Sequence, residues 1–361
     1  MPSSVVIGPR PRAAPIMAPS RQLTPVTQAE PPFFAAVDVG GTNIKIGVVD
    51  DQGRPLAYHS MPTDEEKGPR QAIKRIDQTL RSTVEEAGIG FDAICRVGLG
   101  TPGTMDVAAG VLLEPGNLPH WWHFPIKSAL EEACGLPVTF ANDARAATFG
   151  EFWVGSGRVL RSMVMFTLGT GVGGGIIIGD LLVEGENSAG SELGHLIIDY
   201  NDDARMCSCG QRGHLEAYAS ATSVVKRTEE LLAAGHESSL AKRIAAGDEL
   251  SGKMIDEEGR AGDRLSLEII DETGRYLGIG IVSAMHAIDP EGVVIGGAMT
   301  FGKHSSPTGR AFLERIKQEV RERAFPFLAE KTSIDYASLG GDAGFIGAAG
   351  LARRAHLAGS P

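Results

Sequence analysis

A short segment of the chain, from Glu192 to Glu216, concentrates residues that bind metals and exchange protons. It reads E-L-G-H, then eleven residues, then C-S-C-G-Q-R-G-H-L-E. Four of its side chains are zinc ligands by type, and a closed tetrahedral zinc site needs four; they are His195, Cys207, Cys209 and His214. The motif C-x-C alone predicts little, so free cysteines beside surface histidines are the alternative. The full set predicts a zinc site that fixes the two flanking carboxylates.

Two glycine-rich turns have the composition of phosphate-binding loops. The first, D-V-G-G-T-N-I-K, runs from Asp38 to Lys45, and the second, L-G-T-G-V-G-G-G, runs from Leu168 to Gly175. Adjacent glycines let backbone N–H groups converge on phosphate oxygens because no Cβ intervenes. The first turn lacks the G-x-x-x-x-G-K-[ST] spacing, so it is not a P-loop. The second turn precedes a predicted strand rather than a helix, so it is not a dinucleotide-binding fingerprint. Together they predict a nucleoside triphosphate across a cleft, whereas each turn alone is also compatible with a tight hairpin.

The candidate phosphate-binding residues belong to both turns. They are Asp38, Gly40, Gly41, Thr42, Asn43, Lys45, Gly169, Thr170 and Gly171. Thr42 adds a hydroxyl donor, and Asp38 is a candidate for holding a hydrated Mg²⁺ near the phosphates. We attribute the glycines of a predicted turn over residues 169–175 to close approach of phosphate groups.

Asn142 and Asp143 follow a predicted strand and precede a predicted helix. A carboxylate at such a junction can accept the proton of an attacking hydroxyl, which is the role of a base in phosphoryl transfer. Both residue types also serve as helix N-caps. The two functions are compatible, since one residue can cap the helix while the other projects from it.

The elements that position these residues alternate between strands and helices. A strand, a Gly-Thr turn and a second strand occur at residues 33–49, and the pattern recurs from residue 163. This repeat predicts an α/β protein with two related lobes, each built on one mixed sheet, around a cleft. We expect a disordered tail over 1–32, a small lobe over 33–143 and a large lobe over 144–341. The last predicted helix, about 342–356, is placed so that it could return to the small lobe.

Composition narrows the classes of partner and location. The formal net charge of −11 argues against nucleic acid as a main partner, and no apolar run reaches the ~18 residues of a membrane span. Four cysteines in 361 residues are too few for a disulfide scaffold, which favours a reducing, cytoplasmic location. Residues 1–32 are proline-rich and lack a signal-peptide core, so Met17 as the true initiator and a short protein-binding arm are alternatives to a simple tail.

The five motifs resemble those of the ROK family of sugar kinases in order and spacing. They are D-V-G-G-T, A-N-D-A, L-G-T-G-V-G-G-G, E-L-G-H and C-S-C-G-Q-R-G-H-L-E, and the resemblance extends from residue 33 to the C-terminus. It implies the actin-like (ribonuclease H-like) ATPase fold and a homodimer. It also implies ATP-dependent hexose phosphorylation, with glucose converted to glucose 6-phosphate.

The same resemblance leaves other substrates and one other class open. Kinases of N-acetylglucosamine, N-acetylmannosamine or fructose share these motifs, so the hexose is not specified by them. A sugar-sensing transcriptional repressor of the family would need a helix-turn-helix domain, which the 32 proline-rich residues before the first motif cannot form.

The resemblance also implies a set of site residues. Asp143 would be the general base; the sugar would be held by Gly103, Asn117, Asn142, Asp143, Glu192, His195 and Glu216. The nucleoside of ATP would lie against Gly296 and Gly297, with Mg²⁺ at the phosphates and a structural Zn²⁺ in the ligand cluster. The chain departs from the family where a third cysteine is replaced by His214. Imidazole can complete the site, with proton competition below roughly pH 6.5, and absence of zinc is the alternative.

Overall fold

The computed structural model describes residues 23–359. In chain order its strands are β1 Phe33–Val39, β2 Asn43–Val49, β3 Pro55–Pro62, β4 Ile94–Thr101, β5 Met105–Asp106, β6 Val111–Leu112, β7 Val138–Asn142, β8 Ser162–Leu168, β9 Val172–Ile178, β10 Leu181–Leu182, β11 Gly292–Gly297 and β12 Ser333–Tyr336. Its α-helices are α1 Pro69–Glu86, α2 Ile126–Cys134, α3 Asp143–Trp153, α4 Glu216–Ala219, α5 Ala221–Ala233, α6 Ser239–Ala245, α7 Gly252–Arg260, α8 Arg264–Ile288, α9 Pro307–Arg323, α10 Pro326–Lys331 and α11 Ala343–Leu357. In that range, no helix combines the length and the apolar composition required to cross a lipid bilayer.

Two five-stranded mixed sheets repeat one topology. The first has the order β3-β2-β1-β4-β7, and the second has the order β10-β9-β8-β11-β12. In each sheet the leading strand pairs antiparallel with the next strand and parallel with a later one, as β1 does with β2 and β4, and β8 with β9 and β11. The repeated strand-turn-strand pattern therefore corresponds to the centre of each sheet.

Residues 23–32 lie against the β2–β3 hairpin, so the folded chain starts earlier than the predicted boundary at Phe33. Thr24 donates its N–H to the Pro55 carbonyl at 2.7 Å, and the Glu30 carbonyl accepts from Asp51 N–H at 2.9 Å. The Glu30 carboxylate also pairs with Arg54 at 3.1 Å. The proline-rich composition gave no sign of these partners because they belong to a distant hairpin. The rest of the predicted tail, residues 1–22, lies outside the described residues.

Helices α3 and α11 lie between the two sheets and bring their backbones into contact. An ideal Cβ added to Gly347 would lie 1.7 Å from the Ala146 carbonyl oxygen. A Cβ on Gly98 of β4 would likewise lie 1.9 Å from the Ala348 oxygen, so α11 also packs directly on the first sheet. The core around the helices draws on both sheets, including Phe34, Val49, Met163, Met165 and Ile177. The lobe boundary between residues 143 and 144 stays a prediction, since α3 begins there and contacts both sheets.

Three glycines of the predicted turn over residues 169–175 belong to strand β9 instead. A Cβ on Gly175 would lie 2.3 Å from Thr148 Oγ1 on α3, and a Cβ on Gly174 would lie 2.6 Å from Leu193 Cδ1. Gly173 is similarly crowded by neighbouring side chains. The interpretation that all these glycines approach phosphates is therefore wrong for residues 173–175, which are small because the protein itself packs there.

This difference predicts unequal stability effects for alanine substitutions at two glycines only six positions apart. Gly175→Ala should lower the free energy of unfolding by about 1–3 kcal/mol, because the added methyl overpacks the contact with α3. Gly169→Ala should leave it nearly unchanged, because an ideal Cβ there has no neighbour within 4 Å. Thermal and denaturant unfolding of both variants measures the contrast, and equal stability of the two would contradict the packing explanation.

Candidate active site

Asp143 is the first residue of α3 and follows β7 directly. The preceding Asn142 caps the helix, since its Oδ1 accepts from the N–H groups of Ala144 at 3.0 Å and Arg145 at 3.2 Å. The Asp143 carboxylate accepts from Ala144 N–H at 2.8 Å through Oδ1. Capping and a projecting carboxylate thus coexist here: Asn142 is the cap, and Asp143 extends from the first turn.

Asp38 and Asp143 flank a single glycine. The parallel pairing of β1 with β4 places Asp38 opposite Gly100. An ideal Cβ on Gly100 would lie 3.8 Å from Asp38 Oδ1 and 3.8 Å from the Asp143 Cα. The candidate magnesium ligand and the candidate base, which are more than a hundred positions apart in sequence, are therefore neighbours in the fold.

Burial and like charges make Asp143 an unusually basic carboxylate. Burial raises the pKa of Asp143 to about 7, and the negative charges of Asp38 and Glu192 act in the same direction. Burial also raises the pKa of Asp38, which the nearby Lys45 ammonium partly opposes. Lys45 Nζ lies 3.7 Å from Asp38 Oδ2 and donates to the Gly341 carbonyl at 2.6 Å. A base with a pKa near neutrality suits proton abstraction from a hydroxyl.

The turn between β1 and β2 exposes its backbone to solvent. Gly40 N–H donates to the Asn43 carbonyl at 2.9 Å, which closes a tight turn and leaves Gly41, Thr42 and Asn43 exposed. An ideal Cβ on Gly41 would lie 3.4 Å from Asn117 Cβ. The structure thus brings a predicted sugar-binding residue against a predicted phosphate-binding turn.

Gly103 supports the loop that carries Asn117. Its φ of +85° is in the left-handed region that favours glycine. An ideal Cβ would lie 2.5 Å from the Pro115 Cα, so the two loops touch through their backbones. Gly103 is therefore linked to the β1–β2 turn through the loop that holds Pro115 and Asn117.

The second predicted phosphate-binding turn, Gly169–Gly171, lies between β8 and β9. Gly169 N–H donates to the Gly171 carbonyl at 2.9 Å, which closes the turn on itself. The Gly169 carbonyl accepts from Ala221 N–H at 2.9 Å, and the Thr170 carbonyl accepts from Thr222 Oγ1 at 2.8 Å. The turn is thus attached to the start of α5.

The two candidate nucleoside glycines differ in accessibility. Gly296 is buried, and an ideal Cβ there would lie 2.6 Å from Met165 Cε. Gly297 is exposed, with a φ of +91° and an ideal Cβ position 2.1 Å from the Leu168 carbonyl oxygen. Both therefore lie beside the end of β8, next to the Gly169–Gly171 turn, and Gly297 presents its backbone to the surface.

The four predicted zinc ligands form one cluster. His195 Nδ1 lies 3.1 Å from His214 Nδ1, His214 Nδ1 lies 3.3 Å from Cys209 Sγ, and Cys207 Sγ lies 3.9 Å from His195 Nδ1. All four donor atoms lie within 4.8 Å of one another. Zinc bond lengths of about 2.0–2.3 Å imply donor separations of roughly 3.3–3.8 Å in a tetrahedron. The donor types suit zinc, and the 3.1, 3.3 and 3.9 Å separations lie close to this range, so the cluster is compatible with one zinc ion.

The two carboxylates that bracket the cluster have different surroundings. Glu192 is exposed and precedes the short 3₁₀ turn Leu193–His195, and its carbonyl accepts from His195 N–H at 3.0 Å. Glu216 begins α4; its Oε2 accepts from Val172 N–H at 3.0 Å, and its Oε1 accepts from Ser208 Oγ at 2.5 Å. The structure therefore attaches one predicted sugar-binding carboxylate to the residue that follows the second predicted phosphate-binding turn.

The sequence interpretation missed two buried charges on α3. Arg145 is buried and donates to the Ser188 carbonyl at 2.7 Å, which places its cation among the charges of Glu192 and Asp143. Its position two residues after the candidate base was the only available signal. This cation joins α3 to the loop that precedes Glu192.

Glu151 was missed as well, although it organises the loop before α11. It is fully buried and accepts backbone N–H groups from Ser156 at 2.9 Å, Ser338 at 3.0 Å and Leu339 at 2.6 Å. A glutamate inside the apolar run A-A-T-F-G-E-F-W was the available signal, because a buried carboxylate requires partners.

Comparisons with known proteins identify the family to which the chain is similar. A family model described as the ROK family matches residues 34–355. A glucokinase of Halalkalibacterium halodurans is 33% identical over 89% of this chain and 95% of its own length.

Two solved structures have the same fold. The ROK hexokinase from Thermus thermophilus has a TM-score of 0.76 at 30% identity, covering 90% of this chain and 99% of its own. A ROK family glucokinase from Streptomyces griseus, in complex with glucose and AMPPNP, has a TM-score of 0.70 at 32% identity, covering 89% and 99%. The predicted fold class, an actin-like fold of two α/β lobes, is confirmed. The chain belongs to the ROK family.

Proposed function

We propose that this protein catalyses ATP-dependent phosphorylation of a hexose, converting glucose to glucose 6-phosphate. The observation that carries the proposal is the position of Asp143, a carboxylate with a raised pKa that shares one glycine neighbour with Asp38. The similarity to proteins named glucokinase, over nearly their whole length, supports the choice of substrate.

Asp143 would accept the proton of the sugar O6 hydroxyl as that oxygen attacks the γ-phosphorus. The backbone N–H groups of the exposed residues Gly41–Asn43, and those of Thr170 and Gly171 in the second turn, would be donors for the phosphate oxygens. Mg²⁺, when bound, neutralises charge on the transferred phosphoryl group, and Asp38 would hold its water shell. Gly297 would lie against the nucleoside, beside the second turn.

The sugar would be held by hydroxyl acceptors and donors around Asp143. Those groups are Gly103, Asn117, Asn142, Glu192, His195 and Glu216. Because His195 faces the metal cluster through Nδ1, its Nε2 is left for a sugar hydroxyl. Carboxylates suit this role, since each can accept hydrogen bonds from more than one sugar hydroxyl.

We propose a structural rather than catalytic zinc ion. With His195, Cys207, Cys209 and His214 as ligands, a tetrahedral ion has no open position for water or substrate. Its contribution would be to fix the loop that carries Ser208 and to orient His195. We extend the proposal to a homodimer in the cytoplasm, where reduced thiols persist.

Coupled ADP release measured across a panel of sugars tests the function. The panel is glucose, mannose, fructose, N-acetylglucosamine and N-acetylmannosamine, each with ATP and Mg²⁺. We expect the highest kcat/KM with glucose. Preference for an N-acetylhexosamine or fructose would replace the substrate but keep the kinase, and no turnover with any sugar would reject the proposal.

Asp143→Asn is the matched variant for this assay. It preserves the shape of the side chain and removes the base, so kcat should fall by about 10²–10⁴-fold, while glucose binding measured by calorimetry is retained. Near-normal turnover by this variant would remove Asp143 from the role of base.

The value of kcat/KM should depend on pH through the protonation of the Asp143 carboxylate. The groups that face it are Asp38, Glu192 and Arg145. Since the base must be deprotonated, kcat/KM should fall about tenfold per pH unit below about 7 and level off above it. Zinc content measured at the lowest pH separates this effect from loss of metal. A flat profile from about pH 5.5 to 8.5 would contradict the assignment.

His214 should be required for full zinc occupancy. His214→Ala removes one of four ligands, so the purified variant should contain less zinc and lose the remainder to a weaker chelator than the parent does. His236→Ala, at an exposed histidine after α5, is the matched control. Elemental analysis of both proteins gives the answer: equal zinc content would place His214 outside the site.

A further inference from the structure

The Gly169–Gly171 turn is attached to the protein segment that follows the zinc cluster. Ala221 N–H and Thr222 Oγ1 bond to its carbonyls at 2.9 and 2.8 Å. At the C-terminal side of the turn, Val172 N–H bonds to Glu216 Oε2 at 3.0 Å. The turn can therefore move independently of residues 216–222 only if these three hydrogen bonds break.

The Glu216 carboxylate packs directly against Gly171 of this turn. An ideal Cβ on Gly171 would lie 2.3 Å from Glu216 Oε2, so only glycine at this position leaves room for the carboxylate. The other oxygen, Oε1, accepts from Ser208 Oγ at 2.5 Å. Ser208 lies between the two cysteines of the metal cluster, so its hydroxyl connects the cluster to the turn through one side chain.

The Glu216 carboxylate also accepts a longer contact from Cys207 Sγ, 3.6 Å from Oε1. A carboxylate has about four acceptor positions, so these three contacts leave at least one for a sugar hydroxyl. We propose that Glu216 is shared by the hexose site and the phosphate turn, that it couples hexose binding to nucleotide binding, and that Ser208 is its positioning residue. This inference rests on the proposed kinase function, because it needs a hexose on Glu216 and a nucleotide on Gly169–Gly171.

Two physical effects act in the same direction. Hydroxyl donors from the sugar fix the Glu216 carboxylate, which fixes Val172 N–H and with it the turn, so that less ordering remains when phosphate binds. The same donors disperse the negative charge that Glu216 holds within the turn, and this reduces its repulsion of a triphosphate. Hexose should therefore strengthen nucleotide binding, and by linkage the nucleotide should strengthen hexose binding by the same factor.

Calorimetric titrations with glucose and with AMPPNP plus Mg²⁺, each with and without the other ligand at saturation, measure this coupling. For the unmodified protein, we expect each ligand at saturation to lower the Kd of the other by roughly 5-fold or more. Ser208→Ala should reduce the factor below about 2-fold while each ligand alone still binds. Ser208→Thr, which keeps the hydroxyl, should restore it. Ser82→Ala, at an exposed serine on α1, is the matched control and should keep the full factor.

Thr222→Val gives an independent route to the same result. It removes the bond to the Thr170 carbonyl without changing the metal loop, so it should also lower the coupling factor. It decides the question if Ser208→Ala loses zinc. A factor of one in the unmodified protein, or an undiminished factor in both variants, would overturn the inference while leaving the kinase proposal intact. Failure of the unmodified protein to bind either ligand alone would reject both.

Discussion

The geometry of the candidate active site depends on how closely α11 approaches α3 and β4. The ideal Cβ of Gly347 would lie 1.7 Å from the Ala146 carbonyl oxygen, and that of Gly98 would lie 1.9 Å from the Ala348 oxygen. These contacts fix the start of α3, and hence Asp143, relative to the end of β1, where Asp38 lies. A larger residue at either glycine would separate the helices from the sheet and move the two carboxylates apart, although neither glycine is a candidate ligand-binding residue.

The site gathers negative charge and balances it with cations held by backbone carbonyls. Lys45 is fixed by the Gly341 carbonyl beside Asp38, and Arg145 is fixed by the Ser188 carbonyl near Glu192. Burial and neighbouring acids then raise the pKa of Asp143 to about 7. This combination suits a hydroxyl substrate, which donates to carboxylates, and a nucleotide that arrives with its own Mg²⁺.

The predictable parts of the site are those whose residues lie close together in the sequence. The β1–β2 turn, the Asn142 cap and the four metal ligands each lie in short motifs, because local spacing decides their geometry. The glycines of β9 were misinterpreted because side chains distant in sequence occupy the space beside them, Thr148 of α3 beside Gly175 and Leu193 beside Gly174. The partners of Glu151 at Ser338 and Leu339 were missed for the same reason: contact between segments distant in sequence, not residue type, assigns its role.

A crystal structure with glucose and AMPPNP bound tests the central claim most directly, namely that Asp143 is the base of a hexose kinase assembled between two phosphate turns. The expected result is a glucose O6 within about 2.6–3.2 Å of an Asp143 carboxylate oxygen. The triphosphate should contact the Gly169–Gly171 turn on the same side. A sugar whose O6 is turned away from Asp143, or a nucleotide that contacts neither glycine turn, would contradict the proposed site.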